Sequence, residues 1–289
     1  MRPTRREWLR GTASAAGGLA LAAEVKRAMA AGGADWVKVG MCDWSMGRTN
    51  LRAFPLAKKI GLDGIEVSIG NVKNDLWLRK PEMQAKYLAA ARKHNMAIPS
   101  MAMGLLNSVP LISDERAAPW VADTIEVAKK LGARIILLAF FGRGKIGKDS
   151  KEDKGRLVEI LKDLAPRAEK AGVVLGLENL LSAEANLGVI EQVKSKHVQV
   201  YYDVYNSQGE GYDVVREIKR MGKSQICQVH FKEGPKLLGS GKIDWPAVAA
   251  ALNEIKYRGW LVLETSSPNR DVLGDTRKNL KYLKKLFGA

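Results

Sequence analysis

Cysteine and histidine are scarce: the 289-residue chain has two of the first and three of the second. Two thiols far apart in sequence exclude a disulfide scaffold and a Cys-rich zinc module. Cys42 and Cys227 each lie in an apolar run, where cysteine packs as a small hydrophobe, and free thiols are expected. No apolar stretch is long enough to hold the mature chain in a bilayer. No G-x-G-x-x-G follows the first strand-like run, which removes the usual dinucleotide argument. The Gly142-Arg-Gly-Lys-Ile-Gly147 loop lacks the Walker spacing and its Ser/Thr, and reads as a flexible loop at the mouth of the fold. No linker, repeat or low-complexity tract divides the mature region.

A 46% apolar and 27% charged composition fits one folded α/β domain. The net charge is +16, and the basic residues are spread along helical segments rather than massed, so they read as a solvated surface and not as a nucleic-acid face. The N-terminus differs from the rest. A basic head containing Arg5-Arg6-x-Trp8-Leu9 precedes an Ala- and Gly-rich run with small residues suited to cleavage after Ala22, Ala23, Ala30 or Ala31. This arrangement resembles a twin-arginine export signal. Residues 1–31 are therefore expected to be a signal read by the export machinery, residues 35–289 the folded domain, and the mature protein periplasmic or extracellular.

Strand-like runs alternate with amphipathic helical segments about eight times. The runs are 37–41, 64–68, 98–101, 135–138, 173–177, 198–202, 226–229 and 260–263. Near-continuous apolar runs fit parallel strands covered on both faces. Helical patterns over 82–93, 117–131 and 157–170 lie between them, the last two ending near Gly132 and Gly172. Eight repeats predict a closed (β/α)₈ barrel of one domain rather than an open doubly wound sheet.

Four of the runs end on Glu178, Asp203, His230 and Glu264. Barrel strands point their C-terminal ends at one shared pocket. Two Glu, one Asp and one His meeting there make an oxygen-rich site for one divalent cation: Mn²⁺, Mg²⁺, Co²⁺ or Zn²⁺. No cysteine is expected among the strand-end residues. Taken singly, each carboxylate reads as a helix cap or ion-pair partner, and His230 as a satisfied core histidine. His94 and His197 precede strands three and six, away from the pocket, and read as surface residues.

The contexts Gly176-Leu-Glu178-Asn179, Tyr201-Tyr-Asp203-Val-Tyr-Asn206, Val229-His230-Phe-Lys232-Glu233 and Gly259-Trp-Leu-Val-Leu-Glu264, in this order, resemble the sugar phosphate isomerase/epimerase family of xylose isomerase-like TIM barrels. Gly61-Leu-Asp-Gly-Ile-Glu66 looks like that family's second strand. The resemblance implies a cation held by Glu178, Asp203, His230 and Glu264, with Glu178 and Glu264 on opposite faces of a sugar, one removing a proton and the other returning one. An enediolate formed this way serves epimerisation, isomerisation or, with a β leaving group, elimination. Ketose epimerases of the family often carry a His three residues after the strand-six Asp. Here Asn206 stands there, an amide that positions a hydroxyl but exchanges no proton near pH 7.

Further substrate contacts are expected from Lys232, two residues past His230 on the same face, from Glu66 on strand two, and from Trp44 and Asn107 after strands one and three. Asp244-Trp245-Pro246 reads as a helix start with Asp244 as its cap. Because phosphorylated sugars are mainly intracellular, export shifts the expected substrate to a free, oxidised or glycosidic sugar. A lyase acting on a keto-sugar, keto-inositol or keto-glycoside is the alternative. A nuclease of the endonuclease IV type needs more His ligands than this chain offers. The sequence is compatible with a homo-oligomer.

Overall fold

The computed structural model of the protein describes residues 36–289; the export signal read over 1–31 lies outside them. Eight strands close into a barrel in sequence order: β1 (Val39–Cys42), β2 (Gly64–Ser68), β3 (Ser100–Met103), β4 (Ile135–Ala139), β5 (Val174–Glu178), β6 (Val198–Asp203), β7 (Ile226–Phe231) and β8 (Leu261–Leu263). All pairings are parallel, and β1 meets β8 through Val39–Leu261 and Met41–Leu263, which closes the ring.

Helices cover the outside: α1 (Ala53–Ile60), α2 (Pro81–His94), α3 (Ala117–Leu131), α4 (Lys151–Ala171), α5 (Ala183–Val193), α6 (Val204–Gly209), α7 (Val214–Gln225), α8 (Trp245–Glu254) and α9 (Val272–Phe287). α3 and α4 stop where expected, at Gly132 and Gly172, whose φ of 75° and 68° let the backbone turn left-handed and cap the last carbonyls. Asp244 caps α8 by accepting from the Ala247 N–H at 3.0 Å, with Pro246 in the first turn. The main apolar core lies between the barrel's outer face and the helices. A separate inner group, Ala102, Leu137, Ala139 and Tyr201, packs within the ring. The rest of the interior holds buried polar residues, among them Glu66, Ser100, Gln228 and His230, where branched aliphatics ordinarily fill such barrels.

Several strands run one or two residues further than their apolar runs suggest. The extension has a consequence, because it takes in Glu178, Asp203 and His230 as ladder residues paired to Ala139, to each other and to Val262. His230 is thereby paired on both sides, and Glu178 and Asp203 on one side each. Glu264 lies one residue past β8, but its N–H still donates to the Phe231 carbonyl at 3.0 Å. The Gly142–Gly147 loop is packed rather than free. Gly144 sits so close to the turn at Gly104–Asn107 that a Cβ there would meet the Leu106 carbonyl oxygen at 2.2 Å.

Candidate metal centre

Glu178, Asp203, His230 and Glu264 converge at the C-terminal end of the barrel, with one ligand atom from each lying within 4.8 Å of all the others. His230 Nδ1 is at the middle, 3.0 Å from Glu178 Oε1, 3.5 Å from Glu264 Oε2 and 3.8 Å from Asp203 Oδ2. Its ring is gripped by Tyr201, 4.5 Å between centroids, and by Trp44, edge-on at 6.2 Å. Lys232 reaches over the group, its Nζ 2.7 Å from Glu264 Oε2 and 3.0 Å from Asp203 Oδ2. The Trp44 indole N–H donates to Glu264 Oε1 at 3.1 Å.

The electrostatics follow from burial set against these neighbours. Burial pushes the Glu178 carboxyl up to about 7, against the pull of His230. It also raises Asp203, with Lys232 opposing. At Glu264 the same burial is overcome by His230, Lys232 and the Trp44 hydrogen bond, so this carboxyl lies below its usual range. Burial disfavours the Lys232 ammonium, yet Asp203 and Glu264 hold it well above the ordinary lysine value.

The donor set fits a hard or borderline dication. It offers three carboxylates and one imidazole, and no thiol lies among these four. With His230 neutral, Lys232 cancels one of the three carboxylate charges, and a divalent cation would cancel the other two. Asp203 Oδ2 is buried without a hydrogen bond, because Lys232 approaches it off the hydrogen-bond direction. An oxygen left in this condition is costly unless something binds it.

Beside the cluster is a cavity of about 270 Å³ lined by Trp44, Ser68, Ala102, Gly104, Asn107, Leu137, Ala139, Phe141, Glu178 and Glu264. Trp44 and Asn107, after β1 and β3, line this cavity. The Asn107 side-chain carbonyl accepts from the Phe141 N–H at 2.9 Å, which leaves its NH₂ turned to other partners. Asn206 stands in the first turn of α6, half-buried and outside this lining; its backbone N–H donates to Asp203 Oδ1 at 2.7 Å. Lys232 meets two of the cluster carboxylates rather than open solvent.

Glu66 is elsewhere than the sequence reading puts it. It is fully buried beneath His230 and out of reach of a substrate, because β2 turns its side chain into the barrel below the cluster. Cys42 also corrects the reading: it ends β1, and its Sγ lies 3.4 Å from His230 Nε2. His94 and His197 lie away from the centre but are half-buried, and His197 Nδ1 is 2.7 Å from the Val173 carbonyl oxygen.

Sequence reasoning missed the polar residues around Glu66. Tyr201 and Gln228 were open to inference, since each lies two residues before a cluster residue on the same strand and so faces inward. It also missed Asp43, buried after β1 and bound to the Ser68 N–H and hydroxyl at 2.9 and 2.6 Å; burial raises its carboxyl to about 7. Glu233, buried and accepting from the Trp245 indole and the Gly239 and Ile243 N–H groups, holds the loop after β7.

Comparison with known proteins agrees with this architecture. Residues 54–286 match the xylose isomerase-like TIM barrel family. Over 212 residues the chain is 26% identical to a 2-epi-5-epi-valiolone 7-phosphate 2-epimerase of an Actinoplanes species, covering 71% of this chain and 78% of that one. Over 244 residues it is 25% identical to an L-ribulose 3-epimerase of a Methylomonas species, covering 78% and 81%. A solved L-ribulose 3-epimerase structure superposes with a TM-score of 0.73 at 21% identity, over 87% of this chain and 95% of that one, which shows the shared fold. The chain is an enzyme of the isomerase and epimerase kind, and it belongs to the xylose isomerase-like TIM barrel family.

Proposed function

We propose that the protein is a divalent-metal-dependent sugar epimerase or isomerase that works through an enediolate on a free or oxidised sugar. The observation that carries this is the cluster itself: three carboxylates and one imidazole within 4.8 Å, open to a cavity at the barrel mouth. Glu178, Asp203, His230 and Glu264 would hold the cation. When bound, it would polarise the substrate carbonyl and acidify the neighbouring C–H as a Lewis acid.

The chain's own residues supply the proton movements. Glu264, held ionised by Lys232 and the Trp44 hydrogen bond, is suited to take the proton from carbon. Glu178, on the other side of the site, is suited to return a proton to the opposite face once it has taken one from solvent. One turnover leaves the proton on Glu264 and off Glu178; exchange with solvent resets both, and the reverse reaction exchanges their roles. Lys232 steadies Glu264 and stands where it can donate to a developing oxyanion. Trp44 and Asn107 border the sugar, and the Asn107 NH₂ can donate to a hydroxyl. Asn206 lies outside the cavity lining, its backbone N–H held by Asp203 Oδ1, and its amide can position a hydroxyl but exchanges no proton.

The test is elemental analysis of the purified protein, followed by incubation with a panel of keto-sugars in deuterium oxide. Deuterium at the carbon next to the carbonyl, with an epimer or isomer that keeps all its atoms, supports the reading. Release of water or an alcohol assigns elimination instead, and no exchange on any sugar with the metal-loaded protein rejects both. We further propose that residues 1–31 send the chain through the twin-arginine route, on the strength of Arg5-Arg6 and the Ala-rich run after them. N-terminal sequencing of protein from the periplasmic fraction tests this, with a start between residues 23 and 32 expected.

A further inference from the structure

Beneath the cluster is a sealed polar layer that the proposed chemistry does not use. Glu66, with none of its surface exposed, is at its centre. Its Oε2 accepts from the Ser100 hydroxyl at 2.5 Å, the Tyr201 hydroxyl at 2.5 Å and the Gln228 NH₂ at 3.2 Å. Gln228 ties the donors together, its NH₂ also 2.7 Å from Ser100 Oγ and 2.6 Å from the Tyr201 oxygen. Three donors from three strands on one oxygen fix where the carboxylate points. The other oxygen, Oε1, is 3.4 Å from His230 Nε2. Cys42 Sγ is 3.4 Å from the same nitrogen and 3.9 Å from Oε1.

A buried carboxylate without a lysine or arginine among these contacts is expensive to retain. The arrangement on the two sides of the imidazole explains it. Nδ1 faces the three carboxylates of the cluster, so as a ligand it must offer a lone pair, and Nε2 must then carry the hydrogen. Nε2 lies 3.4 Å from both Cys42 Sγ and Glu66 Oε1; the Cys42 contact has hydrogen-bond geometry, and the Cys42 thiol in turn donates to Glu66 Oε1 at 3.9 Å, so the carboxylate faces Nε2 both directly and through the thiol. We infer that Glu66 is a positioning residue: held by Ser100, Tyr201 and Gln228, it sets a carboxylate against the Nε2 side of His230, directly and through the Cys42 thiol, fixes the ring's tautomer and rotation, and so presents Nδ1 to the cation. Cys42 bridges the two, partnering His230 Nε2 at 3.4 Å and donating to Glu66 Oε1 at 3.9 Å. Partners of this kind commonly change metal affinity about 10–100-fold when removed.

This inference rests on the metal reading above, and the experiment separates the two. The chelated full-length protein and its Glu66→Gln variant are titrated with Co²⁺, read by the visible absorption bands of the bound ion, and thermal melts follow folding. Proton NMR of the Zn²⁺-loaded and metal-free forms follows the Nε2 hydrogen, which can be assigned because the chain has only three histidines. The expected result is about 10–100-fold weaker Co²⁺ binding in Glu66→Gln, an altered absorption spectrum and an upfield shift of the Nε2 hydrogen, with folding retained. Unchanged affinity together with an unmoved Nε2 hydrogen overturns the inference. If Glu66→Gln does not fold, Tyr201→Phe removes one of the donors that aim the carboxylate; a smaller loss of affinity and a shift in the same direction support the inference, and neither change rejects it. If the wild-type protein binds no cation, the metal reading fails, and the Nε2 hydrogen in the metal-free pair still decides whether Glu66 orients His230.

Discussion

The two halves of the barrel bring unlike things to its mouth. β1–β4 and their loops supply the cavity wall: Trp44, Ala102, Leu137, Ala139 and Phe141, with Ser68 and Asn107 as its polar members. β5–β8 supply Glu178, Asp203, His230, Lys232 and Glu264, which is all the charge in the cluster. On the proposed reading, one half holds the sugar and the other reacts with it. Wall residues such as Leu137 and Phe141 can then change with little effect on the charged end, whereas Trp44, bonded to Glu264 and packed against His230, joins the two halves.

The sharpest way to break this division is to disable the reactive half alone. Glu178→Gln should lower kcat by about 10²–10⁴ with the fold intact, as steady-state rates and circular dichroism would show. Retained turnover would take Glu178 out of the mechanism.

The next effect separates the halves by pH. Glu178 has a carboxyl raised from 4.5 to about 7 by burial. The folded, metal-free protein therefore keeps this proton over a range where the unfolded chain has lost it. Its contribution is favourable below about 4.5 and is lost as pH rises towards 7, at a cost of about 3 kcal/mol. Thermal melts of chelated protein should show a lower Tm at pH 8 than at pH 5. The same scan with divalent cation present should recover much of the loss, and a flat profile in chelator would refute the assignment. Asp43, raised to about 7 from the wall side, adds a part that no cation restores.

On the wall, Phe141→Ala should raise KM about tenfold while kcat stays within a few-fold, because it removes apolar contact of roughly 1–3 kcal/mol without touching the acid–base pair. A fall in kcat with unchanged KM would mean that the wall also positions the reacting carbon. The smallest effect should come from outside both halves. Asp244→Ala removes the α8 cap, costs about 1 kcal/mol in denaturant unfolding, and leaves kcat and KM as they were.

These expectations mark where the sequence was readable. The barrel was legible because apolar runs and amphipathic segments alternate without interruption, and because glycines such as Gly132 and Gly172 mark helix ends. Glu178, Asp203, His230 and Glu264 were legible because each closes an apolar run, so a single polar residue stood out against its neighbours. Glu66 stood out equally well, but its depth did not: the same alternation that turns it inward cannot say whether it reaches the mouth or the level below. That level depends on the stagger between strands, which is a property of the closed ring. Cys42 was hidden because its run continues into Asp43 and Trp44 rather than stopping. Asp43 and Glu233 were lost among ordinary loop acids, because their burial comes from loops far away in sequence.

Lys232 lies between Asp203 and Glu264, and on the proposed reading this bears on when a cation would enter. Small zinc modules wait for their metal before they fold at all. Here an internal ammonium already relieves part of the crowding among the acids, and the surrounding ring holds them in place by its own ladder. On the proposed metal reading, assembly and loading would then be separate events, the barrel folding first and taking its cation afterwards.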